Sequence, residues 1–145
     1  MRVSMIAACL LLFAGLVSAG EKKLMHCFYF SVAENATDAD WQAFYKATDE
    51  LPGKIPVVSR VWYGKLVRPM GILTTADAET RKKLMAEGAA TGPVTRLVRQ
   101  YGVCMEMADE AALKVYADHP YHKDWETAYF KVRQPGTNSM DFVGR

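Results

Sequence analysis

Apolar residues along this chain fall into runs and spacings that predict alternating strands and helices. Residues 25–32 and 100–107 predict two strands, and within them residues 25–30 and 101–107 are almost continuously apolar, a pattern typical of strands that are covered on both faces. Residues 57–63 are rich in β-branched and aromatic side chains and predict another strand. A turn at Pro135–Gly136 leads to a short final strand over residues 139–143.

The segment after the first predicted strand has helical periodicity. Thr37 and Asp40 resemble the capping box that begins a helix. Pro52 and Gly53 indicate the place where this helix ends. The side chains that recur on its inward face are Trp41, Phe44, Tyr45, Thr48 and Leu51.

A second helical region follows the third predicted strand and is interrupted once. Asp109 is placed to cap a helix that runs through Tyr116. His119 and Pro120 interrupt it, because the residue before a proline is driven out of helical geometry while proline suits the first turn of a new helix. His119 is therefore the predicted cap of a second helix over residues 121–130.

Residues 65–99 form an insert between the second and third predicted strands. Gly64 is expected to close the second strand, and residues 77–87 predict a helix that stops at Gly88. We expect loops on both sides of this helix. The resulting order, β-α-β-(insert)-β-α-β, is that of the ferredoxin-like α+β fold.

The first nineteen residues predict a secretory signal peptide. Residues 3–17 are almost wholly apolar, and Val17, Ser18 and Ala19 fit the small-residue rule for cleavage. The run is short for a membrane span, so we expect cleavage and no stable membrane insertion. The expected product is one domain over residues 20–145, secreted or periplasmic.

Charge and cysteine usage exclude several classes of function. The 18 Lys and Arg residues nearly balance the 16 Asp and Glu residues and are scattered, which argues against a nucleic-acid partner. Cys27 and Cys104 are the two cysteines of the expected mature chain, and neither lies in a Cys-x-x-Cys motif. A redox motif and a zinc site are therefore not predicted.

Several segments taken in order resemble the stress-responsive α/β-barrel (Dabb) family of the dimeric α+β barrel superfamily. The most specific is Tyr116-x-x-His-Pro-x-His122, and the others are His26 opening a strand, the step from Lys54 to Pro56, residues 61–65 and the pair Asp141–Phe142. This chain differs in having the long insert and in its apparent export. The resemblance implies a homodimer in which two four-stranded sheets close into a barrel.

Further expectations follow from this resemblance and from strand alternation. His26 and Tyr101 are expected to face the barrel, which would leave Cys27 and Cys104 as neighbours on the helix side of adjacent strands. Whether these two cysteines are bonded depends on the strand register. An unpaired apolar sheet face also favours a second copy as partner.

His26, Tyr116 and His122 are the candidate catalytic residues, because imidazoles and a phenol can transfer protons near neutral pH. In plant polyketide cyclases of the same superfamily, the residues that match them act in ring closure, although those cyclases have a histidine where this chain has Tyr101. The candidate ligand-binding residues are Tyr101, Trp62 and His119.

Other interpretations of the histidines and of the whole chain stay open at this point. The His-Pro-x-His segment is also explained as a plain helix junction, whereas a metal site at His119 and His122 lacks an obvious third ligand. Three functions are carried forward: an exported dimer that binds a small hydrophobic molecule or serves as a stress or envelope protein, a cofactor-free lyase or cyclase, and a monooxygenase by fold analogy. No cofactor or metal is predicted.

Overall fold

The computed structural model describes residues 23–144, which form one antiparallel sheet with helices on one face. The predicted signal peptide, residues 1–19, lies outside the described residues. In chain order the elements are β1 (Leu24–Val32), α1 (Asp38–Asp49), α2 (Leu51–Lys54), β2 (Arg60–Thr74), α3 (Ala78–Glu87), β3 (Thr95–Met107), α4 (Glu110–Asp118), α5 (Pro120–Val132) and β4 (Arg133–Val143).

The four strands lie in the order β2-β3-β1-β4, and all neighbours are antiparallel. This arrangement is the ferredoxin-like α+β fold and confirms the fold class predicted from the sequence. Because β1 and β3 are the central strands, the first and third strands are adjacent, as expected.

The core fills the space between the sheet and helices α1 and α5. Phe28 and Phe30 of β1 project toward the helices, where they contact Phe44, Trp125 and Tyr129 with ring centroids 5.1–6.1 Å apart. All five side chains are buried. His26 lies on the same side by strand alternation, so the helix face, and not the opposite one, carries the predicted site residue.

The opposite face of the sheet is not covered by any helix of residues 23–144. Cys27 pairs directly with Cys104, their Cα atoms are 4.1 Å apart, and the two are joined in a disulfide. The prediction that Cys27 and Cys104 are neighbours is therefore confirmed. Their predicted position on the helix side is wrong, since Trp62 and Met140, which flank them in register, are each 47% exposed.

The insert is an extension of the sheet and not a helix between loops. Strand β2 continues past Gly64 to Thr74, and β3 begins at Thr95, so the two strands form a long hairpin with α3 at its end. The predicted helix is present, with Asp77 as its N-cap and Gly88 in the left-handed conformation at φ 76° as its C-cap. The loop prediction on either side of it is wrong.

Two other boundaries differ from the predictions. Pro52 does not end the first helical region, because it lies in the first turn of α2, where the missing N–H of proline is tolerated. Strand β4 starts at Arg133 directly after α5, and Gly136, at φ 88°, falls in a bulge of this edge strand instead of a preceding turn.

Candidate functional site

His26 is held by a carboxylate on the neighbouring strand. The register of β1 and β4 pairs His26 with Asp141, and the distance from His26 Nδ1 to Asp141 Oδ1 is 2.5 Å. A carboxylate oxygen accepts hydrogen bonds, so Nδ1 carries the proton and Nε2 is left with its lone pair. The pairing orients the imidazole as a base.

Tyr116 and His122 come together because the chain breaks between α4 and α5. His119 is extended at φ −70° and ψ 136°, and its Nδ1 accepts a hydrogen bond from the backbone N–H of Tyr121. Pro120 then begins α5. The break brings the rings of Tyr116 and His122 to a centroid distance of 4.6 Å.

Tyr116 lies close to both imidazoles. Its ring centroid is 5.9 Å from that of His26, and the His122 ring in turn stacks on Trp125 at 5.8 Å. Tyr116 is only 3% exposed. The three predicted catalytic residues therefore converge on one place.

Burial determines the protonation of two of these groups. It raises the pKa of Tyr116, with smaller contributions from Glu126 and Tyr129, so the phenol keeps its proton at neutral pH. Burial also lowers the pKa of His122; the nearby His26 acts in the same direction and Glu126 opposes it. A neutral imidazole and a phenol donor thus lie side by side.

A cavity of about 210 Å³ opens in front of these groups, between the sheet and α5. It is smaller than the pockets that hold drug-sized molecules. We infer that only a small molecule fits it without rearrangement. Its lining residues are His26, Phe28, Tyr116, His122, Trp125, Glu126, Tyr129, Phe130, Arg133, Thr137 and Ser139.

A larger cavity of about 530 Å³ lies beside α4 and the end of β4. Asp141 lines this larger cavity, whereas His26 lines the smaller one. The hydrogen bond from His26 to Asp141 therefore separates the two cavities. Apolar side chains form most of the wall of the larger cavity, and no imidazole or phenol lines it. The proton-transferring groups place the candidate site in the smaller cavity.

Three predicted ligand-binding residues do not line the site cavity. Tyr101 is on the helix face but belongs to an aromatic cluster, where its hydroxyl donates to Tyr45 at 3.3 Å. Trp62 is on the uncovered sheet face. His119 is occupied as a helix cap.

Asp141, Glu126 and Arg133 lie at the site and were missing from the predicted residues. The i to i+4 spacing of His122 and Glu126 on one helix was visible in the sequence. Asp141 could be placed next to His26 only once the register of β4 was known.

No group of three His, Cys, Asp or Glu residues within 23–144 is arranged to hold a metal ion. None of the helices in that range is both long and apolar enough to cross a membrane.

Comparison with known proteins relates this chain to solved structures only. No family model and no curated protein matches it. A Dabb family protein with a ferredoxin-like fold from Mesorhizobium loti is similar at a TM-score of 0.54 and 15% identity, over 86% of this chain and 98% of that one.

Two further solved structures show the same fold. A dimeric ferredoxin-like protein of unknown function from Thermobifida fusca has a TM-score of 0.55 and 16% identity, over 86% of this chain and 92% of its own. The hydroxynitrile lyase from Passiflora edulis has a TM-score of 0.58 and 7% identity, over 86% and 95%. At these identities the likeness shows the fold alone.

Proposed function

We propose that this protein is a cofactor-free lyase of the Dabb type, which uses His26, Tyr116 and His122 for general acid–base chemistry on a small molecule. The observation that carries the proposal is the convergence of these three side chains on one cavity, with His26 oriented by the Asp141 carboxylate. A base held by a third group is the arrangement that activates imidazoles in many enzymes.

The proposed reaction is cleavage of a carbon–carbon bond next to a hydroxyl group. Nε2 of His26 removes the hydroxyl proton, the oxygen forms a carbonyl, and the bond electrons leave with the departing carbon, as cyanide or an enolate. Asp141 stabilises the imidazolium that results. His122 supports the return of this proton to the leaving carbon, so that protons and electrons balance over the cycle.

Tyr116 has a separate role in this scheme. Its pKa is raised by burial, so it is a hydrogen-bond donor at neutral pH and stabilises negative charge on the substrate oxygen in the transition state. The hydroxynitrile lyase from Passiflora edulis shares the fold and supports this class of reaction. Ring closure by the reverse step, forming a carbon–carbon bond, uses the same groups.

We further propose that two copies associate through the uncovered sheet faces. Trp62, Met140 and Phe142 are 47–49% exposed there, and apolar side chains grouped on one exposed face are typical of a contact with a partner. The Thermobifida fusca protein of the same fold is described as dimeric, which supports the proposal. In this arrangement the sheets close into a barrel and the helices, with the site cavity, lie outside.

Export is the remaining part of the proposed function. The motive is the apolar run that ends at Ala19, together with the disulfide between Cys27 and Cys104, a bond that persists in oxidising compartments. N-terminal sequencing of the natively produced protein tests it. Recovery of Met1 would contradict export with cleavage.

Cleavage of an aromatic cyanohydrin tests the catalytic proposal, with mandelonitrile as the probe and benzaldehyde release as the signal. The wild-type protein is expected to exceed the buffer rate, and His26→Asn to lower kcat/KM on the order of 100-fold, the usual contribution of a general base. His122→Asn is expected to lower it as well.

His119→Asn is the matched control. Asparagine keeps the capping function of this residue, whose imidazole points its Nδ1 at the helix and not at the cavity. We expect its activity to equal that of the wild type. No cleavage above buffer by the wild type, or full activity in His26→Asn, would contradict the proposal.

A further inference from the structure

Arg133 lies at the end of the site cavity that is farthest from the imidazoles. It is the first residue of β4, directly after α5, and pairs with Val32, six residues along β1 from His26. Its side chain lines the same cavity as His122 and Glu126 of α5. The cavity thus extends from a proton-transferring end to a guanidinium.

The guanidinium of Arg133 is held in place by two aromatic rings, but few hydrogen-bond acceptors surround its N–H groups. Its Cζ lies over the rings of Tyr129 and Phe130, at 5.1 and 4.5 Å from their centroids. Nη1 donates to the carbonyl of Gln134 at 3.1 Å. Nε is buried without a hydrogen-bond partner in residues 23–144, and no carboxylate of that range forms an ion pair with this arginine.

The carboxylate of Asp141 is at the other end of the site, where it is bonded to His26. Glu126 lies along the cavity and contributes electrostatically to the pKa of Tyr116, His122 and Tyr129. An anionic molecule in this cavity is repelled at the imidazole end and attracted at the arginine end. The charge distribution therefore orients an anion in only one direction.

We propose that the ligand of this site carries a carboxylate that binds Arg133, which places its reacting carbon at His26 and Tyr116. Since Nε is buried, a small rotation of the guanidinium presents its Nε–Nη2 edge, and a carboxylate then accepts two charge-assisted hydrogen bonds. The placement of the reacting carbon depends on the proposed lyase function, whereas the carboxylate contact does not.

The middle of the cavity fits this orientation. The hydroxyl of Thr137 already forms a hydrogen bond with the hydroxyl of Tyr129, at a distance of 2.8 Å. Ser139 lines the cavity between Arg133 and Asp141 on β4, and its hydroxyl has no partner within the described residues. This serine offers a polar contact partway along a ligand whose aromatic or aliphatic body packs on Phe130. The expected ligand is therefore an acid with an apolar body, not a purely hydrophobic molecule.

Calorimetric titration with benzoate and with benzamide tests the carboxylate contact. The two probes have nearly the same shape and differ in charge. The wild type is expected to bind benzoate about tenfold more tightly than benzamide, because one charge-assisted bidentate pair distinguishes them. Arg133→Met is expected to abolish this preference, and Arg133→Lys to keep part of it, since lysine retains the charge but loses the planar fork.

Lys131→Met is the matched control. Lys131 is two residues away and 59% exposed, so this variant removes the same charge without touching the cavity. The preference for benzoate should survive in it. Thermal unfolding checks that each variant is folded, and Arg133→Lys serves as the decisive variant if Arg133→Met does not fold.

Three results would overturn the inference: no benzoate binding at 10 mM (roughly the weak end of small-ligand affinities), equal binding of both probes, or loss of the preference in Lys131→Met. A failure of the lyase function gives a different pattern. In that case benzoate still binds with a preference that depends on Arg133, while mandelonitrile is not cleaved.

Discussion

At the scale of single residues, the pKa of His122 is set first by burial and then by two opposing neighbours. Burial and His26 lower its pKa, while Glu126 raises it. The folded pKa lies below the value of 6.5 expected for an unfolded chain, so the unfolded state binds more protons between the two values. The contribution of His122 to stability is therefore present above pH 6.5 and is lost as the pH falls through the folded pKa.

An NMR titration of the His122 imidazole tests this electrostatic arrangement. We expect a midpoint below 6.5 in the wild type. His26→Asn should raise the midpoint, because the electrostatic effect of His26 that lowers the pKa of His122 is removed, and Glu126→Gln should lower it further, because a stabilising carboxylate is lost.

The titration of His119 in the same spectra is the internal control. His119 lies outside the cavity, so neither substitution should move its midpoint. Shifts of equal size at both histidines, or shifts of the same sign in the two variants, would contradict the proximity of His26, His122 and Glu126.

The sequence predicted which residues meet at the site better than where the site lies. His26, Tyr116 and His122 were identified because a helix break and a strand start are local features. Alternation along β1 shows that His26 and Phe28 share a face, but it does not show which face the helices cover. That choice is made by packing of Phe28 against Trp125, which is 97 residues away in the chain.

At the scale of elements, helices α1 and α3 have similar caps and different structural importance. The Thr37 hydroxyl accepts from the backbone N–H of Asp40, and the Asp77 carboxylate accepts from that of Thr80. Helix α1 buries Phe44 in the main core, whereas α3 lies at the end of the hairpin and outside that core. Loss of the N-cap should therefore lower the stability of the whole domain at α1 but not at α3.

Denaturant unfolding at one fixed protein concentration tests this difference. Thr37→Ala is expected to lower the free energy of unfolding by about 1 kcal/mol, the usual cost of losing an N-cap. Asp77→Ala should leave the main transition unchanged and increase amide exchange in α3 only. If Asp77→Ala lowered the free energy of unfolding as much as Thr37→Ala does, the hairpin and the core would unfold as one unit, which would contradict this expectation.

The hairpin itself shows why the insert was mistaken for loops. Pro69 and Gly71 are signals that normally interrupt a strand. Pro69 falls in a bulge, because Lys65 pairs with Tyr101 and Met70 with Arg99, which leaves four residues opposite one. In the bulge the proline needs no hydrogen bond to the neighbouring strand, and the pairing of β2 with β3 resumes at Met70. Local composition cannot reveal this, since the partner strand determines where the bulge forms.

At the scale of the whole molecule, the uncovered sheet face is the proposed contact between two copies. Met140 lies beside the disulfide in register with Cys27 and is 47% exposed. In an isolated subunit a charge at this position meets water and costs little. In a face-to-face dimer it is buried without a partner.

Sedimentation of Met140→Glu therefore tests the dimer. Burying an unpaired charge costs about 3–5 kcal/mol, so we expect the dissociation constant to rise at least about 100-fold while each subunit stays folded. Val115→Glu is the control, since Val115 is 51% exposed on α4, on the helix side of the sheet. A wild-type monomer at micromolar concentration, or dissociation in both variants, would contradict the proposed interface.

The central claim is that Tyr116 acts with His26 and His122 on one small molecule. The most direct measurement is kcat/KM for mandelonitrile cleavage in Tyr116→Phe and in Tyr101→Phe. Both variants remove one phenol hydroxyl from the helix face, but only Tyr116 lines the cavity. We predict a loss on the order of 100-fold in Tyr116→Phe, the cost of one donor to a developing oxyanion, and no loss in Tyr101→Phe. Equal activity in the two variants would contradict the account.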